Sequence, residues 1–129
     1  MIILDTCVLL FDTLSPERLS KVAIDVLETG EQAGQLFCSD ISLWEIAMLK
    51  KKQRIIIPTD YLTFMNAILH ARNIRVLPIL PEIADLSVSL ELEHFDPADR
   101  IISATTVYYN AQLLTSDQKL LNSQIPTLW

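Results

Sequence analysis

Glycine is nearly missing from this chain, at 2 in 129 residues, and with a mean hydropathy of +0.32 that scarcity argues against disorder. Cysteine is equally scarce. Cys7 and Cys38 are too few and too far apart for a metal knuckle, and nothing implies export, so a reduced, cytoplasmic protein is expected. No apolar stretch approaches the roughly 20 residues of a membrane span. The opening residues lack a basic n-region and reach an acid at Asp5, so they are expected to form a strand rather than a secretory signal. Positive charge is also short: 10 Lys and Arg face 16 Asp and Glu, for a net charge of −6. That balance argues against broad electrostatic adhesion to nucleic acid, whose affinity comes from Lys and Arg replacing counterions. It leaves open a metal-bridged phosphodiester, and it suits a basic partner. What is abundant is apolar side chain, 50 % of the total, enough for one buried core across a single domain spanning 1–129.

Short aliphatic runs alternate with amphipathic stretches. Ile2 to Asp5, Gln35 to Cys38, Ile74 to Leu77 and Ala111 to Thr115 read as buried strands, with a short fifth over Pro126 to Trp129. Ser15-Pro16 reads as a helix start, and Leu19, Val22, Ala23, Val26 and Leu27 carry that helix to about Glu28, before a loop bracketed by Gly30 and Gly34. Ser39-Asp40 opens a helix with Ile41, Trp44, Ala47 and Met48 on one stripe, closed by Lys50-Lys51-Lys52, whose cations suit the helix dipole. Further helices start at Pro58-Thr59-Asp60, at Pro81 through about Glu93, and at Asp96-Pro97 to about Tyr109. Alternating strands and helices predict an α/β fold with a parallel sheet covered on both faces.

Asp5, Glu45, Asp99 and Asp117 fall where an apolar run stops or just after a helix begins. If the runs are parallel strands, their carboxyl ends share the sheet edge where open α/β folds place ligands. Each acid also has an ordinary explanation. Asp5 and Asp117 can cap helices, Glu45 stands at capping-box spacing from Ser42, and Asp96, Pro97 and Asp99 together satisfy the rules for a helix start. Taken together, four caps must all fall on one edge for that explanation to suffice. Gathered carboxylates repel one another unless a hard cation such as Mg2+ joins them.

Four segments in order, Ile3-Leu4-Asp5-Thr6-Cys7-Val8-Leu9-Leu10, Ser42-Leu43-Trp44-Glu45-Ile46-Ala47, Phe95-Asp96-Pro97-Ala98-Asp99-Arg100-Ile101-Ile102 and Leu114-Thr115-Ser116-Asp117, resemble the PIN-domain ribonucleases. The likeness runs nearly end to end and is strongest to the VapC toxins of type II toxin–antitoxin pairs. It implies a three-layer α/β/α sandwich around a central parallel sheet of about five strands. It implies a metal-dependent endoribonuclease, with Asp5, Glu45, Asp99 and Asp117 as the acidic quartet. Asp5 and Asp99 are then the direct ligands of Mg2+ or Mn2+. Thr115 then orients a carboxylate or phosphate, and Asp96 supports the site or caps; apart from the resemblance, Thr6 is placed to support the site, and Arg100, beside Asp99, to orient a phosphate or pair with a carboxylate. The implied partners are an RNA substrate, a cognate antitoxin and a second copy in a homodimer, with no membrane. The apolar helices around Ile41 to Leu49 and Tyr61 to Leu69 offer faces for such partners.

The chain departs from the family at Cys7, where many relatives carry Asn or His. A thiol is a poor Mg2+ ligand, and no catalytic role follows for it. Leu49 stands where close relatives are often basic, with Lys50 one step later. Lys50, Lys51, Lys52 and Arg54 are candidates to receive phosphates, although the lysine run reads better as a solvated helix end. His70 and His94 lack partners at ligand spacing. A haloacid-dehalogenase-like phosphatase needs an acid where Cys7 stands, and a receiver domain needs paired acids after the first strand; neither matches. The alternatives left open are a PIN-like binding or dimerisation module with a vestigial site, and a PIN nuclease of RNA processing rather than a toxin.

Overall fold

Five short strands form one sheet in the order β3-β2-β1-β4-β5, with every neighbouring pair parallel. They are β1 (Ile2–Leu4), β2 (Leu36–Ser39), β3 (Arg75–Leu77), β4 (Gln112–Leu114) and β5 (Thr127–Leu128). The computed structural model describes residues 1–92 and 96–129, so the expectations touching Glu93, His94 and Phe95 lie outside the described residues. The described helices are α1 (Thr6–Leu14), α2 (Lys21–Ala33), α3 (Asp40–Lys51), α4 (Tyr61–Ala71), α5 (Pro81–Ser89), α6 (Pro97–Tyr108) and α7 (Gln118–Leu121). None is long and apolar enough to cross a membrane.

Strand periodicity explains the layering, because successive side chains point to opposite faces. Leu4, Leu36, Cys38 and Leu114 face one core with Val8 and Leu9 of α1, Leu27 of α2, Ile46 of α3 and Phe64 of α4. Ile3, Phe37 and Leu113 face the other, with Ile102 of α6 and Leu120 of α7. The result is the three-layer α/β/α sandwich around a parallel sheet. Strand order reverses at β1, the middle of the sheet, and the crevice beyond the strand ends at such a reversal is where α/β sheets bind ligands.

Several boundaries depart from the sequence reading. The helix expected from Pro16 is only a 3-10 turn over Pro16–Arg18; the regular helix α2 begins after Ser20, whose side chain accepts the Ala23 N–H at 2.9 Å. Gly30 lies inside α2 against Leu36 rather than in a loop, while Gly34 ends the helix at φ 65°, a conformation that favours glycine. The stripe expected on α3 is shifted: Trp44 is 57 % exposed, and Ser42 and Ile46 are the buried positions. Helix α5 stops at Ser89, short of the expected end near Glu93, because Arg100 takes the carbonyls of Ser87, Leu90 and Leu92 there.

Candidate active site

The sheet register sets the centre of the site. Leu4 pairs with Leu114, so the next residues, Asp5 and Thr115, leave their strands side by side. Asp5 then caps α1, its Oδ1 accepting the Thr6 N–H at 2.7 Å, while its Oδ2 accepts the Thr115 hydroxyl at 2.6 Å. Thr115 is fully buried, and its oxygen also accepts the Asp117 N–H at 3.0 Å, which fixes the hydroxyl proton on Asp5. On the other side, the Thr6 hydroxyl donates to Glu45 Oε1 and lies 2.8 Å from Ser42 Oγ. Glu45 thereby approaches Asp5 from α3.

Asp96 and Asp117 act as helix caps, as their sequence positions suggested. Asp96 Oδ1 accepts the Asp99 N–H at 2.8 Å, and Asp117 Oδ1 accepts the Lys119 N–H at 2.8 Å. Capping by Asp96 leaves the Asp99 side chain free of that duty. Asp5, Glu45, Asp96, Asp99 and Asp117 all line one cleft of about 870 Å3, together with Thr6, Cys7 and Ser116. The same cleft is also lined by Leu10, Phe11, Leu14, Leu49, Ile55 and Ile56, with Arg18 and Arg54.

Electrostatics follow from that crowding. Burial pushes the Asp99 carboxyl up to about 7, and Asp96, Asp5, Glu45 and Asp117 add to it by repulsion. Glu45 is raised by burial, against the Thr6 hydrogen bond and with help from Asp5 and Asp96. Asp5 is likewise raised by burial, opposed by its bonds from Thr115, Thr6 and Cys7. The Cys7 Sγ–H donates to Asp5 Oδ2 at 3.5 Å, and burial pushes this thiol up to about 12, so it stays protonated. The described ion pairs, Arg72 with Asp12 and Glu31, include none of these acids. The oxygen donors fit a hard divalent cation in chemistry. As the side chains stand, however, no three Asp, Glu, His or Cys groups among the described residues are gathered closely enough to hold an ion.

Arg100, expected to orient a substrate group, is engaged with backbone carbonyls. Its Nε, Nη1 and Nη2 donate to the carbonyls of Ser87, Leu92 and Leu90 at 2.8, 2.5 and 2.6 Å, and the residue does not line the cleft. Its guanidinium closes the C-terminal end of α5 instead. Lys50, Lys51 and Lys52 are also absent from the lining; they complete the exposed end of α3. Arg54 does line it. Arg18 was missed by sequence reasoning, because its place depends on α1 running out and the chain turning back at Ser15, which the apolar run of α1 concealed.

A family model described as "PIN domain" matches residues 2–123. Ribonuclease VapC22 of Mycobacterium tuberculosis is 31 % identical over 132 residues, covering 99 % of this chain and 98 % of that protein. A toxin–antitoxin complex from Klebsiella pneumoniae contains a chain with TM-score 0.66 and 21 % identity, covering 100 % of this chain and 97 % of that one. VapBC2 from Rickettsia felis, bound to a DNA fragment from its promoter, gives TM-score 0.67 at 18 % identity, covering 98 % and 94 %. At those identities the solved structures establish the fold alone.

Proposed function

This chain belongs to the PIN-domain family, and from that premise we propose that it is a divalent-metal-dependent endoribonuclease and the toxin of a toxin–antitoxin pair. The observation that carries the chemistry is the cleft lined by Asp5, Glu45, Asp99 and Asp117, none of them in a described ion pair, with Asp99 raised to about 7. Such a cluster is costly to maintain and is suited to binding positive charge. Asp5 and Asp99 would hold Mg2+ or Mn2+, with Glu45 and Asp117 completing the site. What a bound cation supplies is charge against the phosphodiester and acidification of the attacking water.

The protein's own part is positioning. Thr115 fixes the rotamer of Asp5 by donating to Oδ2, and is itself fixed by the Asp117 N–H. Thr6 does the same for Glu45. Asp99 holds a proton in the ion-free cleft below about pH 7 and surrenders it when positive charge arrives. Partner binding is supported by the Klebsiella pneumoniae structure of like fold, which is a toxin–antitoxin complex, and by apolar surface at Trp44 and Leu62, 57 % and 69 % exposed, which suits an antitoxin or a second copy.

The test is direct. Purified protein should cut RNA with Mg2+ or Mn2+, and Asp5→Asn or Asp99→Asn should abolish cleavage while far-UV circular dichroism is unchanged. Cleavage that persists in chelator and survives both substitutions would sink the reading.

A further inference from the structure

The chain carries five arginines, and the structure divides them. Arg72 pairs with Asp12 and Glu31, Arg75 donates to the Gly34 carbonyl and lies over the Phe37 ring, and Arg100 closes α5. The other two, Arg18 and Arg54, have no ion-pair partner among the described residues, and they are the two that line the cleft. Both are exposed.

Arg18 is held in place without being neutralised. Its guanidinium lies 4.1 Å from the centroid of the Phe11 ring, and Phe11 is braced by Trp129 in an edge contact at 6.5 Å. A planar guanidinium stacked on an aromatic face keeps its N–H edges free for a phosphate and loses little freedom on binding one. Phe11 follows Asp5 by six residues on α1, which at about 1.5 Å per residue puts it roughly 9 Å from the acidic centre. That separation suits a phosphate neighbouring the scissile one. In the same cleft Leu10, Leu14, Leu49, Ile55 and Ile56 supply apolar lining, with Ile56 itself 91 % exposed. Cationic tracking of a backbone beside apolar surface for unstacked bases is how single strands are bound. On a molecule of net charge −6, local cations must supply this affinity.

We propose that Arg18, seated on Phe11, and Arg54 form a phosphate-binding arm that lays a single RNA strand along α1 and feeds it to the acidic centre. The inference rests on the ribonuclease reading and goes beyond it by naming the residues and the strand path. The test uses the full chain carrying Asp99→Asn to block cleavage, with a short fluorescent single-stranded RNA read by anisotropy across a salt series. Adding Arg18→Ala or Arg54→Ala should weaken binding about ten-fold each and flatten the slope of log affinity against log salt by about 0.7 per lost contact. Phe11→Leu should weaken binding while leaving the slope nearly intact, and Arg18→Lys should restore most of the slope. Lys51→Ala, on the exposed end of α3, should change neither. In the cleaving protein the losses from Arg18→Ala and Arg54→Ala should fall on KM more than on kcat. Unchanged affinity and slope in both, with the parent still cutting RNA, would overturn the arm and leave the ribonuclease reading standing. A parent that neither binds nor cuts RNA would overturn both.

Discussion

Thr115 shows how much a single hydroxyl can control here. It is fully buried, donates to Asp5 Oδ2 at 2.6 Å and accepts from the Asp117 N–H at 3.0 Å, so it links the two acids that follow β1 and β4. Thr115→Val keeps the shape and removes the link, leaving the Asp117 amide without its partner and Asp5 Oδ2 with only the weak Cys7 thiol bond. Unfolding in urea should show a loss of about 1–3 kcal/mol, and kcat at saturating metal should fall by at least about ten-fold as Asp5 loses its fixed rotamer. Thr115→Ser should recover most of both. Asp99 makes a second prediction at this scale. Its carboxyl is raised to about 7 by burial and by four neighbouring acids, so cation and proton compete for it. Apparent Mg2+ affinity, followed by isothermal titration, should therefore climb with pH through about 7 and level off above it. An affinity flat from pH 6 to 8 would remove Asp99 from the ligand set.

Among the elements, α2 and β2 offer a sharp packing test. A Cβ on Gly30 would stand 2.4 Å from Leu36 Cδ2 and 3.1 Å from its Cγ, and Leu36 is fully buried where β2 pairs with β1. Gly30→Ala gains about 1 kcal/mol of helix propensity, but forcing Leu36 aside costs about 1–3 kcal/mol. A net destabilisation of about 1 kcal/mol is expected in chemical denaturation; a more stable variant would mean that the site relaxes freely. The same region shows what the sequence could tell. The ends of β1 and β4 were readable because their aliphatic runs stop at polar residues, and this placed Asp5 and Asp117 at one edge. Helix α1 was not readable: its apolar residues Cys7 to Phe11 are contiguous and three in a row, Val8, Leu9 and Leu10, are buried, so it shows no helical period. Its only local sign is the Asp5 cap. With α1 hidden, the turn at Ser15 read as a helix start, and Arg18 could not be related to the cleft. Arg100 misled for the opposite reason: its place beside Asp99 in sequence says nothing of the three carbonyls it serves across space.

For the molecule as a whole, the acidic cleft sets function against stability. Asp5, Glu45 and Asp99 all have their carboxyls raised in the folded state, so the fold binds protons that the unfolded chain has already released. Stability must then fall as pH rises above the ordinary carboxylate value of 3.8, with the Asp99 part of the fall complete at about 7. Asp60 works the other way, held below its ordinary value by its bond to Thr63, but that contribution is lost only as pH drops below 3.8. Between these limits the melting temperature, followed by circular dichroism, should be higher at pH 5 than at pH 8. Two further measurements separate cleft repulsion from a general effect of the net charge of −6. Asp99→Asn should raise the melting temperature at pH 8 and flatten its pH dependence, because it removes a charge that four neighbours oppose. Millimolar Mg2+ should raise the melting temperature of the parent by binding the folded state alone, and should raise that of Asp99→Asn much less. If Mg2+ raised both equally, the ion would be screening the surface rather than occupying the cleft. If Asp99→Asn melted lower at pH 8, the acids would be contributing to the fold instead of straining it.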